Sequence, residues 1–207
     1  MPFELDHIFI LTNPSALEAD TLREHLTEGE KNTHPGQGTS CRRFFFNSNY
    51  LELLYVDNPA DAQSDLTRPT HLYPRWLNRS TSCPFGLILR PSSSAPTSPP
   101  FPTFQYNPTS LPPNLSLHIA TNAADFSEPL FTYLPIHRTA PFQPTPKLTA
   151  AHFYGPWPTN PSAALAATSD LPILKFHHAP TYHLELSFEN RRHQIVDLRS
   201  MLPLILL

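Results

Sequence analysis

Apolar runs interrupted by single polar positions fill the first 56 residues and predict mostly strands. Residues 4–12 are apolar at both odd and even positions, which is typical of a strand covered on both faces. Asn13-Pro14 then provides the residue types of a helix start, and residues 28–34 predict a second strand. Residues 41–47 and 50–56 predict an antiparallel hairpin. The resulting order is β-α-β-β-β.

A similar order recurs near the C-terminus. The sequence Thr-Asn-Pro-Ser-Ala occurs at residues 12–16 and again at 159–163, each time before a segment that carries alanines and leucines. Strand-like runs follow the second copy at residues 171–177, 182–188 and 193–198. The repeated order predicts a duplication of one βαβββ-like module.

The chain is therefore predicted to be a single domain of residues 1–207. Module one covers about residues 3–58, and module two covers about residues 147–207. The connection, at about residues 84–140, contains two strand-like runs separated by a proline-rich stretch with little periodicity.

Composition narrows the classes of function. The net charge of -3 disfavours a nucleic-acid partner or an anionic membrane, either of which needs a basic face. Two cysteines without CxxC spacing favour a reducing compartment, and the acidic N-terminus is unlike a signal peptide. The apolar run at 201–207 is far shorter than the roughly 20 residues of a membrane span. We expect a cytoplasmic protein.

His7 and Glu52 are ionisable residues inside apolar strands, where burial is costly. Strict alternation would place His7 on one strand face with Leu5, Phe9 and Leu11. A bound metal ion, a mutual hydrogen bond that braces the strands, and an acid–base role would each offset this cost. These three alternatives stay open on the residues alone.

Several motifs together resemble one protein family. They are Leu-Asp-His-Ile-Phe-Ile at residues 5–10, His-Pro-Gly-Gln-Gly-Thr at 34–39, Arg-Arg-Phe-Phe-Phe at 42–46, Tyr-Leu-Glu-Leu-Leu at 50–54 and Pro-Phe-Gly-Leu-Ile-Leu-Arg at 84–90. The pattern is similar to the glyoxalase-like domains of the vicinal oxygen chelate superfamily. The resemblance implies an α+β fold in which paired βαβββ modules form a cup-shaped mixed sheet around a ligand cavity.

The superfamily includes metal-dependent lyases, isomerases, epimerases and dioxygenases, and also metal-free drug-binding proteins. In its metal enzymes the ligands come from the first and last strands of each module, and His7 and Glu52 match these positions in module one. Module two departs from the pattern, because the 147-residue offset places Tyr154 and Arg199 at the equivalent positions. The complete four-ligand site of glyoxalase I is therefore not visible.

Glu185 is the best candidate for a third metal ligand, because Tyr182-His183-Leu184-Glu185-Leu186 echoes the sequence around Glu52. His118 and His183 are the other candidates, and an outward-facing carboxylate is the alternative role for Glu185. Nitrogen and oxygen ligands would suit Zn, Fe, Mn or Ni. The remaining histidines, including His177 and His178, lack ligand spacing and are predicted to lie on the surface.

Four further residues are candidates for substrate binding. Gly36 and Gly38 predict a turn with positive φ at the rim of the cup, beside His34 and Gln37. Arg42 and Arg43 are adjacent in a strand, so one of them should face the cup and bind a carboxylate or phosphate. An internal salt bridge to Glu52 is the alternative for that arginine.

We therefore expect a metal-dependent enzyme of lyase or isomerase type that acts on a small, oxygen-bearing and anionic metabolite. The alternative is a metal-free protein of the same fold that binds or sequesters a small molecule. A structural domain would have no cavity of about 300 Å³ or more. The expected partner is a small-molecule ligand, and a homodimer is compatible with the sequence.

Overall fold

The computed structural model describes residues 1–138, 140–142, 146–189 and 195–207. In chain order the strands of the first sheet are β1 (Phe3–Leu11), β2 (Asn32–His34), β3 (Thr39–Phe45), β4 (Tyr50–Val56), β5 (Phe85–Pro91), β6 (Thr103–Tyr106), β7 (Leu117–Ala120) and β8 (Leu130–Tyr133). The strands of the second sheet are β9 (Leu148–Gly155), β10 (Leu174–His178), β11 (His183–Phe188), β12 (Val196–Asp197) and β13 (Leu204–Leu206). The helices are α1 (Ala19–Leu22), α2 (Pro59–Ala62), α3 (Leu72–Leu77) and α4 (Ala163–Ser169), with 3-10 turns at Pro14–Ala16 and Arg68–Thr70.

The first sheet is a curled, eight-stranded half-barrel with the order β2-β3-β4-β1-β5-β8-β7-β6. Its two halves meet where β1 pairs antiparallel with β5, and each half contains one parallel pair, β1 with β4 and β5 with β8. Every position of β5 is buried, as expected for a strand with neighbours on both sides. The predicted α+β class with a cup-shaped mixed sheet is confirmed.

The C-terminal strands form a separate five-stranded sheet with the order β10-β9-β11-β13-β12. The second half of the cup therefore consists of β5–β8, and the expectation that residues 147–207 supply it does not match the strand pairing. The reason is that β1 and β8 occupy both edges of β5, which leaves the C-terminal strands to pair among themselves. The assignment of residues 1–207 to one domain stays a prediction.

Most predicted elements of the N-terminal part are present. The hairpin β3–β4 forms in the register that pairs Arg43 with Glu52. The expected helix after Asn13 is broken into a 3-10 turn and the four-residue α1, because Ser15 and Ala16 have positive φ values of 69° and 45°. Of the predicted strand at 193–198, residues 193 and 194 lie outside the described residues.

Two apolar clusters hold the sheets. The larger cluster packs the outer face of the first sheet against the second sheet, for example through Phe85 and Phe153, whose ring centroids lie 5.4 Å apart. The smaller cluster fills part of the cup and includes Phe9, Leu54 and Ile88. Within the described ranges, no helix is long and apolar enough to cross a bilayer.

Candidate functional site

The concave side of the first sheet encloses a cavity of about 270 Å³. One end is polar and is formed by His7, His34, Gln37, Tyr50 and Glu52. The remaining wall is mostly leucine, isoleucine and phenylalanine side chains from β1, β4, β5, β7 and β8. The volume lies just below the roughly 300 Å³ at which most ligand sites begin, so cavity size alone does not separate a ligand-binding protein from a structural domain, and any ligand must be small.

A β-bulge in β1 determines which side chains reach this cavity. The register against β5 shifts between Leu5 and His7, so Asp6 is the extra residue. Leu5 consequently packs in the cluster outside the cup, whereas Phe9 packs inside it. The expectation that Leu5 and His7 share a face was therefore wrong, because the bulge reverses the alternation.

The bulge also brings the Asp6 carboxylate to the His7 ring. His7 Nδ1 lies 2.7 Å from Asp6 Oδ1, and this contact with a carboxylate assigns the ring proton to Nδ1. The ring stacks on Tyr50 with a centroid distance of 4.1 Å. Burial raises the pKa of Asp6, but the hydrogen bond from His7 and the charges of Arg90 and Arg138 oppose this effect, and the pKa lies below its ordinary value.

His7 Nε2 and Glu52 Oε2 face each other at 3.7 Å, and both side chains are buried. With the proton on Nδ1, both facing atoms carry lone pairs and neither donates a hydrogen bond. Two such acceptors repel unless a cation, a second imidazole proton or a ligand donor lies between them. His7 Nε2 and Glu52 Oε2 are therefore placed to share one cation or one donor group.

Cys41 contacts the other oxygen of Glu52, with its Sγ 3.4 Å from Oε1. The thiol is fully buried, and burial, followed by the charge of Glu52, raises its pKa well above its ordinary value. Cys41 pairs with Leu54 across β3 and β4, so it lies on the same sheet face as Glu52. Without a metal, Cys41 is thus a thiol that donates to Glu52.

His34 completes the polar end from β2. Asn32 Nδ2 lies 3.0 Å from its Nε2, and its Nδ1 lies 2.9 Å from Thr39 Oγ1. Burial lowers the pKa of His34, which favours the neutral ring that binds metals. His34, Cys41 and Glu52 each offer one ligand atom, and these three atoms lie within 4.8 Å of one another.

Residues 5–101 match the family model described as a glyoxalase-like domain. This range contains all five side chains that form the polar end of the cavity. Residues 5–101 form a glyoxalase-like domain. Domains of this kind belong to the vicinal oxygen chelate superfamily, so the predicted family is confirmed.

The solved structures that resemble the chain include two hypothetical proteins. A hypothetical protein from Staphylococcus aureus is 12% identical, with 100% of this chain and 99% of that chain covered and a TM-score of 0.60. A hypothetical protein from Bacillus halodurans C-125 is 11% identical, with 70% and 99% covered and a TM-score of 0.41. The first likeness supports the fold alone. No curated protein sequence shows significant similarity to the chain.

The donor atoms of the glyoxalase-like domain fit a metal ion of the kind found in this superfamily. His7 Nε2 and Glu52 Oε2 present lone pairs to one another, and His34 and Cys41 add nitrogen and sulfur atoms near Glu52. Imidazole, thiolate and carboxylate together suit borderline divalent ions such as Zn²⁺. Asp6 and Cys41 were not among the predicted site residues, although Asp6 belongs to the motif that carries His7 and Cys41 directly precedes Arg42.

Arg42 does not line the cavity of the glyoxalase-like domain. It is 4% exposed and binds both oxygens of Glu28 at 2.5 and 2.8 Å, Asp20 at 2.9 Å and the Ala16 carbonyl at 3.1 Å. Its place on the face opposite Glu52 follows from its pairing with Leu53. The anion-binding role considered for Arg42 is therefore wrong, because its donors are used by Glu28, Asp20 and Ala16.

Arg43 shares a sheet face with Glu52, which settles the choice left open between the two arginines, but it is not part of the cavity wall. Its Nε donates to the Glu30 carbonyl at 3.1 Å, and its guanidinium lies 5.3 Å from the centre of the Phe45 ring. No lysine or arginine lines the cavity among the described residues. Neither arginine is therefore placed to contact a ligand in this cavity, contrary to the expectation.

Glu185 lies on β11 of the second sheet, where it accepts a hydrogen bond from Tyr154 at 3.1 Å. It does not line the cavity with His7 and Glu52. The similarity between the sequences around Glu52 and Glu185 therefore does not bring the two carboxylates together, because β4 and β11 belong to different sheets. His34 and Gln37, in contrast, lie at the cavity as predicted, beside Gly36 and Gly38, whose φ values are 76° and 73°.

Proposed function

We propose that the chain is a metal-dependent enzyme of lyase or isomerase type that acts on a small, oxygen-bearing metabolite. The observation that carries the proposal is the pair of facing acceptors, His7 Nε2 and Glu52 Oε2, 3.7 Å apart in a buried site. A divalent ion bound by both atoms would replace their repulsion with two attractive contacts. Zn, Fe, Mn and Ni are the candidate metals, and zinc fits a donor set that includes a thiol.

In this proposal His7 and Glu52 hold the ion, and His34 and Cys41 are the nearest side chains able to complete its ligand set. Bound metal supplies Lewis-acid polarisation of a substrate oxygen. Asp6 accepts a hydrogen bond from the protonated Nδ1 of His7, which leaves the Nε2 lone pair available for the ion. Tyr50 fixes the plane of the His7 ring by stacking on it.

The cavity wall indicates the rest of the ligand. Phe9, Leu54, Ile88, Ile119 and Leu130 offer no hydrogen bonds, so they suit an apolar body directed away from His7 and Glu52. Because no basic side chain of the described wall reaches the cavity, a carboxylate on that body would stay unpaired. We therefore propose a small substrate whose oxygens lie at the polar end and whose remaining atoms are uncharged.

Elemental analysis of protein purified without an affinity tag tests the proposal. We expect at least one divalent ion per chain in the wild type and about one ion fewer in both His7→Ala and Glu52→Ala. Asp65→Ala is the control, because this exposed carboxylate pairs with Arg68, does not line the cavity and should leave the metal content unchanged. Wild-type protein without metal after reconstitution would contradict the proposal.

The alternative, a metal-free binding protein, is favoured by one observation. The contacts of Asp6 with His7 and of Cys41 with Glu52 brace the strands without any ion. In that case a second proton on His7 would fill the space facing Glu52. This alternative predicts unchanged small-molecule binding when metal is removed by a chelator, whereas the enzyme proposal predicts loss of turnover.

A further inference from the structure

We propose a second metal site, in which His152 and His177 on the second sheet bind a borderline divalent ion such as Zn²⁺. The observation is the distance of 3.2 Å between His152 Nδ1 and His177 Nε2. The two histidines are 25 residues apart in the chain, and the pairing of β9 with β10 brings them together. The site does not depend on the function proposed for the cavity.

The second sheet has one apolar and one polar face, and the histidines belong to the polar one. Ala151 and Phe153 are fully buried against the first sheet, so their neighbours His152 and Tyr154 project to the opposite side. His177 is the register partner of Tyr154 on the parallel strand β10. Both histidines are only half-buried, so an ion from solvent can reach them.

The spacing of the two nitrogens matches a chelate. Two nitrogens bound to zinc at about 2.0–2.1 Å with a tetrahedral angle lie roughly 3.3 Å apart. His152 and His177 already have this separation, so an ion could bind by ring rotation without a shift of the strands. Tyr154 holds the His177 ring in place, since the two rings stack with a centroid distance of 4.7 Å.

Glu185 is positioned to act as the third ligand. It is the register partner of His152 across β9 and β11, and such partners have Cβ atoms about 4.5–5.5 Å apart. Its carboxylate now accepts a hydrogen bond from Tyr154, and rotation of the side chain would redirect it towards His152. Lys175 pairs with His152 on the other side, and its positive charge limits the affinity for a cation.

Calorimetric titration of the full chain with zinc chloride tests the site, in wild type and in a Glu52→Gln background that weakens the cavity donors. We expect the Glu52→Gln protein to bind one zinc ion. His152→Gln and His177→Gln should each lower that affinity by at least about tenfold, because each leaves a single imidazole ligand. Glu185→Gln should lower the zinc affinity by a smaller factor.

His178→Gln is the matched control, because His178 is the next residue on β10, is exposed, and points to the other side of the strand. We expect it to change the zinc affinity less than twofold. Equal losses in His178→Gln and His177→Gln, or no zinc binding in the Glu52→Gln protein, would overturn the proposal. Zinc binding lost only through His7→Ala would support the cavity site and also overturn this one. Thermal unfolding of each variant checks that the sheet is intact.

Discussion

The polar end of the cavity depends on where individual protons lie. His7 could donate a hydrogen bond to Glu52 if its ring proton were on Nε2. The hydrogen bond from His7 Nδ1 to Asp6 Oδ1, 2.7 Å long, keeps that proton on Nδ1. Asp6 is itself 1% exposed and held by Arg90 at 2.8 Å, so it cannot turn away to solvent. Asp6, which does not line the cavity, therefore determines that His7 directs a lone pair at Glu52.

Asp6→Asn should weaken metal binding at the proposed cavity site. An amide oxygen accepts the hydrogen bond from Nδ1 less strongly than a carboxylate does. An amide nitrogen can also donate to Nδ1, which would move the ring proton to Nε2. We therefore expect metal affinity to fall by about 10- to 100-fold. Competition with a chromophoric chelator measures it. Glu4→Gln is the control, because Glu4 binds the same Arg90 guanidinium at 2.8 Å without contacting His7. Equal effects of the two substitutions would contradict the positioning role of Asp6.

Arg42 and Arg43 should differ in their contribution to stability. Arg42→Gln leaves the mostly buried Glu28 without its bidentate partner, so we expect the free energy of unfolding to fall by about 3 kcal/mol. Arg43→Gln removes one exposed hydrogen bond and should cost less than about 1 kcal/mol. Urea unfolding monitored by circular dichroism measures both. Similar losses for the two variants would contradict the assignment.

At the scale of elements, the same five residues give two different structures. After residues 159–163, Ser162 accepts a hydrogen bond from the Leu165 amide and α4 extends over seven residues. After residues 12–16, the Asn13 side chain binds Glu18 and Arg79 and caps no helix. The Ala16 carbonyl is instead turned to Arg42. Tertiary contacts thus override the shared local signal.

Gly86 should be needed for the contact between β1 and β5. A Cβ atom at this position would lie 1.9 Å from Cζ of Phe9, its register partner, so Gly86→Ala must push the Phe9 ring towards the cavity. We expect a loss of about 1–3 kcal/mol in the free energy of unfolding. In a Phe9→Ala background the same substitution should be nearly neutral. Additive losses in the double variant, measured by urea unfolding, would refute this contact.

The sequence predicted elements whose signal is local and missed those whose cause is distant. The ionisable residues His7 and Glu52 inside apolar runs identified two cavity residues, and the two glycines identified the turn beside His34. The short strand β8 was not predicted, because its four residues become a strand only by pairing with β5. The role of Arg42 was equally out of reach, since Glu28 and Asp20 lie 14 and 22 residues away in the chain.

For the whole molecule, the contact between the two sheets matters as much as the cup. Phe46 and Phe188 pack edge to face at 4.8 Å across this contact. Glu128, before β8, is fully buried and accepts a hydrogen bond from the amide of Ser162, at the start of α4. Separation of the sheets would expose apolar surface and break the hydrogen bonds that Ser162 donates to Glu128.

The two sheets should therefore unfold in one transition, and the two tryptophans of the chain can test this. Trp76 lies on α3 beside the cup, with its Nε1 2.8 Å from the Thr12 carbonyl. Trp157 follows β9 and packs on Phe176 in the second sheet. In the Trp157→Phe variant the fluorescence reports on the cup, and in Trp76→Phe it reports on the second sheet.

We expect the urea midpoint from tryptophan fluorescence to equal the midpoint from circular dichroism within each variant, because the larger apolar cluster is continuous across both sheets. The comparison within one variant removes any change in stability caused by the substitution itself. If the sheets unfolded separately, fluorescence and circular dichroism would give different midpoints, with opposite signs in the two variants. That result would show that the contact between the sheets is too weak to couple them.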